Sequence, residues 1–600
     1  MEKNNKILKR EEVKTEDTWA LEDIFSTNEE WFKEYDALKE IINQVESFSG
    51  KLSDSADTFL AFLRLTEATE MRFSKLINYA FRRSDENTAN SYYLDMKGKA
   101  MALNVEYSAA TAFAVPEISA MSDELILRFN QVKSELSVYE RMIYKIRRRR
   151  EHTLSAAEEK LLAAAGEISE SPDNIFTAFS CADLKFPDAV DSNGNKHTLT
   201  SGTYIPLVES KDRELRKSAF ETLYHTYEVY KNTSAALLDA QTKQLMFFAN
   251  ARKYDSTLSA SLDENEVPTS VYHSLIKSVN DGLGSMHRYI KLRKKLMSID
   301  ELHMYDLYTP IIADYEETIP YEEAVDTIIQ GLAPLGEKYS EILRMGFEKR
   351  WVDKYENEGK ISGAYSAGCN PHPFVLMNYK NTLDSQFTLA HEMGHALHSY
   401  LSFENQPAVY ADYVIFVAEV ASTCNEILLM RHLISNTDDN RKKAYLINHF
   451  LEQFRTTLFR QTMFAEFELE FNRRAENGES LTADLLSDIY YKLNEKYYGS
   501  DIVVDREIAM EWARIPHFFY NFYVFQYSTG FAAAAALSEK ILAEGKPAVD
   551  KYLEFLSSGG SSDPITLLCL AGIDMSTPKP VEDAIKLFDS LIDELDELLG

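Results

Sequence analysis

Interruptions are scarce in this chain. Among 600 residues only 22 are glycine and 16 proline, and the long stretches between them repeat apolar residues at helical intervals, so a mainly α architecture is expected. Cysteine is scarcer still: Cys181, Cys369, Cys424 and Cys569 lie far apart and show no paired spacing, as expected of a reduced intracellular protein, with the cytoplasm as the default. No window reaches the ~18 uninterrupted apolar residues of a membrane span. The stretch Met1 to Arg10 carries charges with no apolar segment behind them, unlike a secretory signal. Positive charge is also short, at 64 Lys and Arg against 95 Asp and Glu. The resulting net charge of -31 repels phosphate backbones and anionic headgroups, so neither nucleic acid nor a membrane surface is an expected partner. The one basic run, Arg147 to Arg150, is expected to be a solvated helix end. No fixed-period repeat and no low-complexity segment stands out, which weighs against solenoids.

What is present is an ordinary globular composition, 45% hydrophobic and 26% charged, in a chain long enough for several subdomains. Ser26 and Glu29 have capping-box spacing, and Trp31, Tyr35, Leu38, Ile42 and Val45 then share one face, with Gly50 as a stop. Ser155 and Glu158 predict a second box, with Gly166 as the C-terminal signal. From about Val581 a last helix is expected to bury Ile585, Phe588, Ile592, Leu595 and Leu599. The exception to the helical pattern is Asp183 to Leu207, where β-favouring residues flank Asp191-Ser192-Asn193-Gly194-Asn195 and Asn-Gly predicts a small hairpin. That hairpin suggests a soft boundary between an N-terminal helical part, 1–200, and a larger part, 201–600.

Residues Thr388 to Leu401 form a proline-free segment that contains His391-Glu392-Met393-Gly394-His395. On a helix, His391 and His395 face one way and converge on a single tetrahedral zinc ion, while Glu392 reaches a water on that ion without ligating it. A catalytic site of this type needs a third protein ligand and an open position for water. The candidate is Glu419, an acid set among apolar residues on a second helical stretch and costly to bury unpaired. Gly394 inside a helix costs about 1 kcal/mol relative to alanine and implies close approach of something, either a substrate strand or a packed helix. His398 continues the ligand face but is expected to be a hydrogen-bonded supporting or core histidine.

The segment His391 to His398, with Glu419 in its Ala-Glu-Val-Ala-Ser-Thr setting, resembles the oligoendopeptidase F group of the thimet-oligopeptidase-like zinc metallopeptidase family. Ala182-Asp183-Leu184-Lys185-Phe186-Pro187, Gly363-Ala364-Tyr365-Ser366 and the region Arg514 to Gly530 resemble it too, so the likeness covers about residues 20 to 585. It implies a two-lobed helical body with a deep substrate channel, short peptides as substrates, and the downstream Glu as third ligand, in agreement with Glu419. It also implies that a His and tyrosines between Arg514 and Tyr527 act on the developing oxyanion. If that segment is helical, His517, Tyr520, Tyr523 and Tyr527 share one stripe. Tyr520 and Tyr527 lead as oxyanion donors, while Tyr365 and the loop Ser558-Gly559-Gly560-Ser561 are weaker candidates for contact with a peptide backbone.

The expected reaction is attack of metal-bound water on an internal peptide bond, with Glu392 taking the proton and delivering it to the leaving amine. The alternatives are a zinc exopeptidase with the same metal chemistry and, less favoured, a non-catalytic peptide-binding protein. Oligomeric state is left open.

Overall fold

The computed structural model describes residues 7–312 and 317–599. Residues 1–6, with most of the charged opening stretch, lie outside that range. The chain is 71% helical and 2% strand, as the scarcity of helix breakers predicts. It forms two compact units, and each is assembled from three stretches: Met1–Thr153, Glu316–His432 and Leu537–Gly572 in one, Leu154–Tyr315, Leu433–Ala536 and Ile573–Gly600 in the other. These units are therefore not continuous segments and do not coincide with 1–200 and 201–600.

The first unit is built around helices Asn28–Glu46, Ala56–Glu86 and Ser91–Thr111. Trp31, Leu38 and Val45 are fully buried, with Tyr35 and Ile42 packed against the same core, as their spacing predicts. The start of that helix is one residue later than expected: Thr27 is the cap, accepting from Glu30 N–H, and Glu30 reaches back to Ser26. A three-stranded sheet, unforeseen from the sequence, joins β3 (Val352–Asp353), β4 (Tyr365–Ala367) and β5 (Phe374–Leu376) in the order β3-β5-β4. β3 runs parallel and β4 antiparallel to β5. Such two- and three-residue strands are too short to show alternation. The basic run sits at the end of helix Glu140–Arg148, but Arg147 is not solvated, being paired with Asp123 at 2.6 Å and donating to the Met121 carbonyl.

The second unit packs helices such as Arg213–Val229, Lys231–Ala251, Thr269–Asp281 and Arg460–Glu476 with the final helix Lys579–Leu599. Ile585, Phe588, Ile592 and Leu595 are buried, whereas Leu599, at the helix end, is 41% exposed. The expected hairpin is present as β1 (Ala189–Val190) and β2 (Lys196–His197), with Gly194 at φ +83°. The Ser155–Glu158 box caps helix Ala156–Ser169. Gly166 does not end that helix; its carbonyl accepts the amide of Glu170 one turn later. Among the described residues no helix is long and apolar enough to cross a membrane, and no disulfide joins any of the four cysteines.

Candidate functional site

Thr382 caps the 23-residue helix Leu383–Asn405, which is buried along most of its length. Helix Ile415–Ser435 returns past it, and the contact is unusually close. A Cβ on Gly394 would lie 2.6 Å from Ser422 Cα and 2.9 Å from the Ala421 carbonyl oxygen. Of the two expected reasons for this glycine, the packed helix is the one observed. Asn425 fastens the pair by donating to the Ala390 carbonyl at 3.0 Å, while Tyr339 donates to Asn425 at 2.8 Å.

This packing brings His391, His395 and Glu419 together, with one ligand atom of each lying within 4.8 Å of the other two. Glu419 Oε2 is 3.5 Å from His391 Nε2 and 3.8 Å from His395 Nε2. The other nitrogen of His391, Nδ1, is hydrogen-bonded to Glu426 Oε1, and a ring N–H of His395 is bonded to the Ala418 backbone. These contacts fix both rings with one nitrogen aimed at the shared point. Burial lowers the pKa of His391, but Glu426, with Glu392 and Glu419 behind it, overrides burial and raises it to about 9. For His395 burial, reinforced by His391, wins and the pKa falls to about 3.

Glu392 is 8% exposed. Burial pushes its carboxyl up to about 7; His391 and the backbone amide of Ser366 on β4 pull it down, while Glu419 and Glu426 push it up. A carboxyl poised there exchanges protons readily near neutral pH. His398 is a core residue: it is 1% exposed, stacks on Tyr413 at 3.7 Å, and its Nδ1 has no hydrogen-bond partner among the described residues.

In the second unit His517, Tyr520, Tyr523 and Tyr527 also come together, though not on one helix. Pro516–Phe519 is a single 3-10 turn, Asn521 and Phe522 have φ of 52° and 58°, and an α-helix begins only at Phe525. The rings converge across that break, with His517 5.7, 6.2 and 5.8 Å from Tyr520, Tyr523 and Tyr527. Tyr527 Oη lies 3.5 Å from His517 Nε2. Burial and then the charge of Arg460 lower the pKa of His517, so it is neutral at pH 7 and carries one N–H. Phe518, Phe519, Phe522 and Phe525 are buried while Tyr520 is 49% exposed. Tyr520 borders a cavity of about 810 Å³ walled by Phe176, Leu184, Phe186, Leu199 and Tyr227, two of which come from the Ala182–Pro187 motif.

The weaker candidates are engaged elsewhere. Tyr365 donates to Asp85 at 2.6 Å beneath Arg82. Gly559 and Gly560 pack on the backbone of Tyr410 and Asp412, where a Cβ would come within 2.1 and 2.7 Å of carbonyl oxygens.

Comparison with known proteins gives the family. A model described as "Peptidase family M3" matches residues 206–587, and one described as "Oligopeptidase F" matches 117–186. Oligopeptidase PepF of Bacillus subtilis is 48% identical over all of this chain and 89% of its own length. The chain belongs to peptidase family M3. An oligoendopeptidase F homolog from Lactococcus lactis is 41% identical over 98% of both chains. The crystal structure of oligoendopeptidase-F from Enterococcus faecium, 38% identical, matches with a TM-score of 0.74 over 95% of this chain and 99% of that one. The chain is thus a metallopeptidase of the oligoendopeptidase type.

Beside the His391, His395 and Glu419 cluster, sequence reasoning passed over Glu426. It lies seven residues after Glu419, two helical turns along the same face, and that spacing was the available signal. The Ser366 amide on Glu392 left none, because a backbone donor in a three-residue strand carries no side-chain signature.

Proposed function

We propose that one zinc ion, held by His391, His395 and Glu419, serves an endopeptidase acting on short unfolded peptides in the cytoplasm. The carrying observation is the ligand cluster with Glu392 beside it. Tetrahedral zinc at ~2.0–2.2 Å sets its ligand atoms roughly 3.4 Å apart, and Glu419 Oε2 stands 3.5 and 3.8 Å from the two imidazole nitrogens. Two nitrogens and one oxygen suit zinc and leave a fourth position open. When bound, the ion polarises the peptide carbonyl and lowers the pKa of a water to ~7.

The other steps fall to the chain's own residues. Glu392, whose carboxyl is pushed to about 7, takes the proton of the attacking water and passes it to the leaving amine. His517 and at least one of Tyr520, Tyr523 and Tyr527 donate hydrogen bonds to the carbonyl oxygen as it gains charge, Tyr520 and Tyr527 being the leading candidates. The cavity beside Tyr520, lined by aromatic and aliphatic side chains and also by Lys185, Arg514 and several Ser and Thr, offers both apolar and polar contacts to a peptide. The names of the relatives, oligopeptidase and oligoendopeptidase, support short substrates cut internally.

The test is Glu392→Gln assayed on a peptide blocked at both ends. Zinc content should stay at the wild-type level while turnover falls by about 10²–10⁴-fold. Cleavage at the wild-type rate would remove Glu392 from the chemistry, and a blocked peptide spared by the wild type would make the enzyme an exopeptidase.

A further inference from the structure

The stretch that carries His517 and the tyrosines turns where regular structure would not. A left-handed conformation costs a non-glycine residue roughly 1–2 kcal/mol, and Asn521 and Phe522 adopt it in succession. Asparagine offers a short polar side chain in compensation; phenylalanine offers none. Such pairs persist only where the surroundings over-determine them.

Two buried polar side chains on other helices of the same unit supply the constraint. Glu468, on helix Arg460–Glu476 and 1% exposed, accepts the Phe522 amide at Oε1 over 2.6 Å. Gln241, on helix Lys231–Ala251, donates to both the Phe519 carbonyl and Asn521 Oδ1 at 3.0 Å. The apolar side of the turn is anchored separately, Phe518 against Phe467 at 5.1 Å and Phe522 against Tyr272 at 5.6 Å. Tyr520 and Tyr523 flank the left-handed pair, so the direction of both rings depends on that pair keeping its shape.

We propose that Glu468 is a positioning residue for the aromatic cluster: by accepting the Phe522 amide it holds the left-handed turn that brings Tyr520 and Tyr523 onto His517. Its other oxygen, Oε2, has no hydrogen-bond partner among the described residues, so the side-chain hydrogen bond of this buried carboxyl among those residues is the one to the turn. A buried polar atom left unmatched is costly; a leucine would remove the unmatched Oε2 but would leave the buried Phe522 amide without its acceptor. Burial also pushes the carboxyl up to about 8. At neutral pH it is therefore an uncharged acid accepting through a carbonyl-type oxygen, a function that glutamine reproduces and leucine does not.

The inference rests on the cluster acting at the oxyanion, so its test has one readout that depends on turnover and one that does not. In the full-length metal-loaded enzyme, Glu468→Leu should lower kcat by about 10- to 100-fold, the order expected when catalytic groups are misplaced by about 1 Å. KM should move less than threefold, and metal content should not change. Glu468→Gln should restore kcat to within about threefold of wild type, since it restores the acceptor. By hydrogen exchange, the Phe522 amide should lose protection in the Leu variant and keep it in the Gln variant. Wild-type kcat together with wild-type protection in Glu468→Leu overturns the proposal, as does an equal loss in Leu and Gln. Faster exchange with unchanged kcat leaves the positioning role intact and overturns the oxyanion reading, which Tyr520→Phe and Tyr523→Phe then check directly. If Glu468→Leu does not fold, Glu468→Asp withdraws the acceptor by one methylene and should give an intermediate loss of kcat and protection; wild-type values for both would overturn the proposal.

Discussion

His391, Glu392, His395 and Glu419 ride on two long helices whose backbone is regular and whose contact is set by one glycine. His517, Tyr520, Tyr523 and Tyr527 ride on a 3-10 turn, two left-handed residues and a helix start. In the first region local geometry places the functional atoms, and the rest of the fold has only to bring two helices together. In the second, local geometry is unfavourable and buried partners elsewhere in the unit impose it. A spacing rule therefore works fully in one region. In the other it groups the four residues correctly in space, but for a structural reason, a shared helical stripe, that does not hold.

Three changes break or sharpen this contrast. The largest expected effect is that of His517→Ala, which should cut turnover by about 10²–10³-fold, the range for removing one oxyanion donor, while metal content stays at the wild-type level. Loss of metal in that variant would refute the division of labour between the two regions. Gly394→Ala should act in the opposite sense, on the metal rather than on turnover per metal-loaded enzyme. The added Cβ meets backbone at 2.6 Å, so the helices must separate, at a cost of about 1–3 kcal/mol typical of overpacking. The melting temperature and zinc affinity, followed by titration with a chelator, should both fall; unchanged values would show that the helix contact has slack.

The third change concerns pH. Glu468 titrates at about 8 in the fold because burial disfavours its charge, against roughly 4.3 in an unfolded chain. Between those values the native state keeps a proton that the unfolded state has lost, so this group's contribution to stability is full below about pH 4.3 and declines as pH rises towards 8. Thermal melts from pH 5 to 8.5 should show wild type losing stability relative to Glu468→Gln, on the order of 1 kcal/mol per pH unit. Parallel curves would place the carboxyl near its ordinary range.

The legible features were those that repeat along a helix. The Trp31 to Val45 face, the final helix and the His391–His395 pair each follow from spacing, and Glu419 follows from the cost of an acid among apolar neighbours. Helix limits were less legible. Thr27 rather than Ser26 takes the cap because either hydroxyl suits it, and Gly166 stays helical because glycine is tolerated where no turn competes. Glu426 left only its seven-residue spacing from Glu419, whereas Glu468 and Gln241 were illegible for a different reason: each acts on a residue more than fifty positions away, and only the folded chain makes them neighbours. The discontinuous units have the same origin, since no linker composition marks a chain that leaves a unit and re-enters it.

That re-entry has a consequence for synthesis. The unit holding His391, His395 and Glu419 is completed by Leu537–Gly572, whose Gly559 and Gly560 seat on Tyr410 and Asp412 and whose Ser557 carbonyl accepts from Gln406. A ribosome that has made all three of these residues has still to deliver more than a hundred more before that packing can close. The packing around these three residues is thus withheld from the growing chain until Leu537–Gly572 has been made.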